Sequence, residues 1–270
     1  MSFMYNPFPF DDPKPVNRPE LSEKTVSSIV GGGTPNVAKK FAAPIIEKAR
    51  KKNQVVAFDG YTTVDWTVFL NLLARECAAA GIEFESVDAN AECFKSGKEI
   101  DAMIDPMLIW DKKIDPTLLY GKIYKGGYEG MLDEEKTQAF EKKVSALGEG
   151  AGKVVAVFGY GVLIPRFRAL YDTKCFFDIT PKTSILRIRR GEYVNIGKKR
   201  PDIINRVIRR CYYCDFEMAV CSRRELLRNN VPDFWFLSDD PQNIQMLPYE
   251  AFADICAQLV KYPFRAKPCY

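Results

Sequence analysis

Val55-Val56-Ala57-Phe58-Asp59-Gly60-Tyr61-Thr62-Thr63-Val64-Asp65-Trp66-Thr67 is the stretch that decides the fold. Its first four residues form a short apolar run between polar flanks, which by length reads as a buried strand. Asp59-Gly60 ends that strand. From Trp66 to Ala80 the apolar residues recur at 66, 69, 70, 73, 77 and 80, a helical period. Strand, turn and helix therefore follow one another within about 25 residues, and the pattern continues on both sides.

Upstream, Thr34-Pro35 opens a helix, with Thr34 as N-cap and Pro35 at the first helical position. Val37, Phe41, Ile45 and Ile46 are its apolar stripe. Downstream, strands are expected at about 84–88, 154–158, 175–179 and 234–237. Ser96-Gly97-Lys98-Glu99 fits a capping box that opens a helix to about residue 105. Helices are also expected over 133–147, after Pro181, from 202 to 228 and from 248 to 260. Residues 106–132 read as a long irregular excursion. Strands separated by helices argue for a mostly parallel sheet covered on both faces, a three-layer α/β/α architecture. Residues 1–33 read as an irregular arm rich in proline, with Phe3, Tyr5, Phe8 and Phe10 for packing. Residues 34–260 form the domain, and 261–270 start a linker or a following domain.

Composition narrows the chemistry. The 270 residues include no histidine. That excludes a Ser-His-Asp triad, a Cys-His dyad and any His-ligated metal on this chain. Eight cysteines are present, and Cys211-x-x-Cys214 followed by Cys221 has no second pair of matching spacing, so they read as reduced thiols and no metal site is expected. The N-terminus lacks a basic segment followed by an apolar run, and no apolar run spans a bilayer. A soluble cytoplasmic protein with no membrane contact is expected.

The position after the first strand is where a phosphate loop, G-x-x-x-x-G-K-[ST], would lie. Gly60 and Thr67 match it. Asp65 stands at the second glycine and Trp66 at the lysine. Such loops hold phosphate with backbone N–H groups, the helix N-terminus and the lysine charge. Asp65 suits a helix cap, and its carboxylate would face the anion. Two like charges at about 4 Å repel by roughly 4 kcal/mol at an effective dielectric of about 20. ATP and Mg²⁺ are therefore expected to bind weakly.

A basic segment follows. Residues 182–228 hold 13 Lys/Arg and 5 Asp/Glu, within a chain of net charge +4. Arg187, Arg189 and Arg190 close one helix, while Arg206, Arg209 and Arg210 share a helix side. The segment reads either as a solvated face or as an anion site for a phosphorylated small molecule. In the second reading Arg187, Arg190 and Arg206 converge near the loop and one of them pairs with Asp65. Sparse aromatics argue against nucleic acid.

The layout resembles the uridine kinase and phosphoribulokinase-like branch of P-loop kinases over roughly residues 50–260. The carrying segments are Val55 to Thr67, Val87-Asp88-Ala89, Val154 to Gly161, Phe176 to Pro181, and Leu186 to Arg190. The resemblance implies a P-loop NTPase fold of kinase type with a degenerate loop. An active kinase would use Asp59 or Asp88 as general base, Thr67 on Mg²⁺, and the three arginines on phosphates. A second resemblance lies at the end: Tyr262-Pro263-Phe264-Arg265-Ala266-Lys267-Pro268-Cys269-Tyr270 is similar to the opening of type I phosphomannose isomerases, which are cupins. Asp59-Gly60-Tyr61, Val64-Asp65-Trp66, and Tyr213 with Asp215 resemble the N-terminal extension of long bacterial members of that group. This implies a non-catalytic or altered module joined to a cupin isomerase in carbohydrate metabolism, binding a sugar phosphate or nucleotide. The aromatic arm leaves a structural or oligomerisation domain as a further alternative.

Overall fold

The computed structural model describes residues 21–117 and 120–260. The elements run α1 (Glu23–Ser28), α2 (Thr34–Ala49), β1 (Gln54–Gly60), α3 (Thr67–Ala79), β2 (Glu83–Asp88), α4 (Ala89–Cys93), α5 (Gly97–Ile104), α6 (Glu134–Leu147), β3 (Lys153–Phe158) and β4 (Thr173–Asp178). Then come α7 (Pro181–Arg189), α8 (Ile204–Arg210), a π-helical turn (Cys211–Asp215), α9 (Phe216–Arg228), β5 (Phe234–Leu237), β6 (Gln245–Pro248) and α10 (Tyr249–Leu259). The strands form one sheet in the order β2-β3-β1-β4-β5-β6. Every pairing is parallel except β5 with β6.

Side-chain alternation along β1 assigns the layers. Phe58 points to α2 and α3, where it meets Phe41, Phe69 and Phe177. Phe177 and Phe236 stack there with ring centroids 4.3 Å apart. On the other face Trp235 stacks on Phe252 of α10, again at 4.3 Å. Each buried aromatic contributes about 1.5–3 kcal/mol. The result is the expected three-layer α/β/α arrangement with a mostly parallel sheet.

Local sequence explains the helix starts. Ser96 and Glu99 form the reciprocal capping box. Asp133 caps α6 through the Lys136 amide at 3.0 Å, and Thr180 caps α7 ahead of Pro181. Four expectations change. Thr34 is not a cap: Gly33, with φ of 89°, holds the N-cap position. The Thr34 hydroxyl instead donates to the Pro241 carbonyl and accepts the Ile244 amide, tying α2 to the loop between β5 and β6. Within the segment read as an irregular arm, α1 forms on a Ser22 cap and Val30 bridges to Met246. β6 was not expected, because Gln245-Met246-Leu247-Pro248 is too short to show a period and ends in proline. Last, the helix expected from 202 to 228 begins at Ile204 and widens into the π turn at Cys211–Asp215. Residues 1–20 of the arm, with Phe3, Tyr5, Phe8 and Phe10, and residues 261–270 lie outside the described residues.

Candidate functional site

β1 lies in the middle of the sheet. Its connection through α3 runs toward β2, and that of β4 through α7–α9 runs toward β5. The carboxyl ends of β1 and β4 thus flank a topological switch point, the usual ligand crevice of α/β sheets. The loop from Gly60 to Thr67 sits there.

This loop is closed by its own donors. The Gly60 amide donates to Asp59 Oδ1 (2.7 Å) and the Thr63 amide to Tyr160 Oη (3.1 Å). The Tyr61 amide donates to the Phe177 carbonyl and the Val64 amide to the Tyr61 carbonyl. The Thr67 amide donates to Asp65 Oδ1 at 2.8 Å. Five of the eight amides from 60 to 67 therefore already have acceptors inside the protein. Gly60 is required by close approach: a Cβ there would lie 2.6 Å from Val64 Cγ1 and 3.1 Å from Trp66 Cζ2. Trp66 is buried against Phe158 and Tyr160, so its indole lies over Gly60 inside the loop. Thr63 takes φ of 75°, a left-handed conformation that a branched residue adopts only when its surroundings hold it there.

Arg187 is that holding element. It is buried, and its Nη1 donates to the Thr63 carbonyl at 2.8 Å while Nη2 donates to the Asp239 carbonyl at 2.9 Å. Ser184 Oγ reaches the Thr62 carbonyl at 3.0 Å. The first turn and the last turn of α7's buried face thus clamp the loop.

An open cleft of about 820 Å³ lies in front, lined among others by Asp65, Trp66, Thr67, Arg187, Arg190 and Asp239. Glu192 and Asp240 also face it, so four carboxylates meet two guanidinium groups. Arg190 is paired with Glu192 at 2.5 Å, and Arg187 is spent on carbonyls. The cleft keeps a net negative charge, which disfavours a polyphosphate.

Of the residues singled out from the sequence, Gly60, Asp65, Thr67, Arg187 and Arg190 gather at this crevice. Arg206 does not join them. It stands over Trp110, 5.2 Å from the ring centroid, at a second cavity. The expected pairing of Asp65 with an arginine is also corrected: among the described residues no ion pair involves Asp65, which accepts the Thr67 amide, while Trp66 and not Asp65 holds the N-cap position of α3. Asp88 caps α4 through the Ala91 amide at 3.0 Å. Asp59 is fully buried and accepts three amides, from Gly60, Gly161 (3.0 Å) and Leu163 (2.9 Å). Burial pushes its carboxyl up to about 6, and the three amides restrain the rise. With both oxygens engaged it fastens the turn after β3 to the end of β1. Sequence reasoning missed Asp239, Asp240 and Glu192, whose only signal was their place in polar turns.

Among the described residues no three His, Cys, Asp or Glu side chains gather to hold a metal ion, and no helix is long and apolar enough to cross a membrane. Burial raises the thiols of Cys211 and Cys214 well above their usual range. The loop does not fit the implied ATP phosphates on two observations: five of its amides already have acceptors, and a buried indole stands at the lysine position.

The fold and crevice define an α/β protein with a closed, self-filled loop where a phosphate loop would lie. The family described as "Domain of unknown function (DUF8485)" matches residues 38–261, and the chain belongs to that family. No curated protein matches it. Among solved structures it is similar to a candidate fructose transport system kinase from Silicibacter sp. TM1040, at 15% identity and TM-score 0.47, over 69% of this chain and 94% of that one. It is also similar to a candidate uridine kinase from Bacillus stearothermophilus, at 11% identity and TM-score 0.43, over 73% of this chain and 96% of that one. A shikimate kinase from Bacteroides thetaiotaomicron follows at 12% identity and TM-score 0.30, over 65% and 98%.

Proposed function

We propose that this chain is a non-catalytic module built on a kinase-like frame, which binds a small phosphorylated ligand and transfers no phosphoryl group. The observation that carries the absence of phosphoryl transfer is the accounting of the loop: five of its eight amides are bonded internally and the Trp66 indole lies against Gly60. A phosphate entering there would have to displace an indole and break the Thr63–Tyr160 and Thr67–Asp65 bonds, then face Asp65. The similarity of Tyr262–Tyr270 to the start of type I phosphomannose isomerases supports a place beside a cupin isomerase in the cytoplasm. Calorimetry with MgATP at millimolar concentration should show no binding, and no ADP should form with uridine or a hexose as acceptor. Tight MgATP binding, or turnover, would overturn the proposal.

A further inference from the structure

A cavity of about 270 Å³ lies away from the loop, between α5, the start of the excursion, the turn at 195–198 and α8. A backbone contact builds its wall. A Cβ on Gly97 would lie 2.1 Å from the Gly197 carbonyl oxygen, and Gly197 has φ of 82°. Only glycines allow the turn to approach α5 this closely. That approach sets Lys198 Nζ 2.5 Å from Asp101 of α5. Asp101 also holds Nη1 of the buried Arg210 at 2.7 Å, and Arg210 Nη2 donates to the Ile196 carbonyl at 2.7 Å. One carboxylate therefore faces two cations.

Two polar groups in this wall are left over. Asn195 is 3% exposed, and its Nδ2 is fixed by Asp215 Oδ2 at 2.7 Å and the Val207 carbonyl at 3.3 Å. With the amide turned that way, its Oδ1 receives no donor from the described residues. Arg206 is the second. Its ion contact is Asp202 at 3.7 Å, beyond hydrogen-bond length, and it rests over the Trp110 ring. Its guanidinium donors remain available in a fixed plane. Asp105 and Asp202 add acceptors to the same wall.

We infer that this cavity binds a small polyhydroxylated anion of sugar-monophosphate size. The anionic end meets Arg206 and Lys198, and hydroxyls donate to Asn195 Oδ1 and the two aspartates. The volume falls just below the roughly 300–1,000 Å³ common for drug-sized ligands. Trp110, the aromatic ring among the described residues lining the cavity, already carries the guanidinium groups of Arg206 and Arg209, 5.2 and 4.8 Å from its centroid. Both points disfavour a nucleotide. The inference rests on the reading of the chain as a module that binds without phosphoryl transfer, and it gives that reading a place.

The test is calorimetry on the full chain with glucose 6-phosphate, fructose 6-phosphate and ribose 5-phosphate, and in separate arms the parent sugars and inorganic phosphate. At least one ester should bind, tenfold or more tighter than its sugar or phosphate alone. Arg206→Gln, a substitution at an exposed side chain, should weaken it tenfold or more with an unchanged circular-dichroism melt. Ester binding should change tryptophan fluorescence, and Trp110→Phe should remove that change while calorimetric binding persists. No ester bound at tens of millimolar, equal binding by Arg206→Gln, or equal binding of phosphate alone would each overturn the inference. MgATP is titrated separately. If it binds and Arg206→Gln leaves that unchanged, the non-catalytic reading fails and this site does not.

Discussion

Asp59 gives the fold a pH signature that can be measured. Its carboxyl is fully buried and is pushed from 3.8 up to about 6. In the unfolded chain it titrates at the ordinary value, so between these two pH values the native state binds the extra proton. Stability therefore rises as pH falls through about 6, and the gain is complete below about 4. The full difference is worth about 3 kcal/mol, at 1.36 kcal/mol per unit. Between pH 7.5 and 5.0 the expected gain is about 1.4 kcal/mol. The perturbation is Asp59→Asn. Its oxygen still accepts the Gly60 and Gly161 amides, while its NH₂ opposes the Leu163 amide, at a cost of about 1–3 kcal/mol. Urea unfolding of both proteins at the two pH values isolates the residue, because every other titrating group is shared. The wild type should gain about 1.4 kcal/mol more than the variant on going to pH 5.0. Parallel pH dependence in the two proteins would refute the reasoning.

Two further substitutions probe the loop. Gly60→Ala places a methyl 2.6 Å from Val64 Cγ1 and 3.1 Å from the Phe177 carbonyl, so it should lower the unfolding free energy by about 1–3 kcal/mol, seen as a lower urea midpoint at unchanged m. Arg187→Met removes the donors to the Thr63 and Asp239 carbonyls, which should cost about 3 kcal/mol and speed hydrogen exchange at 61–66 and 238–240 while β3 stays protected.

The parts of the fold that were legible in the sequence are those with a local cause. Val55–Phe58 and Val154–Phe158 are buried strands because their neighbours on both sides are strands, and nothing but apolar runs survives there. Ser96-x-x-Glu99 and Pro181 announce helix starts by chemistry that acts within one turn. The errors have distant causes. Thr34 looks like a cap in its own segment, and only the loop 207 residues away gives its hydroxyl other partners. Arg206, Arg209 and Arg210 share a helix side by spacing, yet the excursion at 106–132 separates them. Both Arg206 and Arg209 lie over Trp110, but Arg209 is buried and held by the Ile109 and Tyr120 carbonyls while Arg206 stays exposed. An irregular segment has no period, so its docking place cannot be read along the chain.

The loop itself shows why a motif comparison captured half of the chemistry. Read against a phosphate-binding pattern, Trp66 in place of lysine is a loss. In the folded protein it is a replacement. A phosphate organises such a loop from the front by accepting amide protons. Here Tyr160 Oη and Asp65 Oδ1 accept them, and the indole fills the hollow. Ser184 and Arg187 act on carbonyls of the same loop, donating to the Thr62 and Thr63 oxygens. The expected arginine is thus present, but it grips the loop's backbone and not Asp65. A loop stabilised by internal groups on both poles has no need of ligand to keep its shape. The positive φ at Thr63 persists because the Tyr160 and Arg187 bonds hold that residue at both its N–H and its C=O. Binding of a polyphosphate would have to undo contacts that the fold has placed there itself.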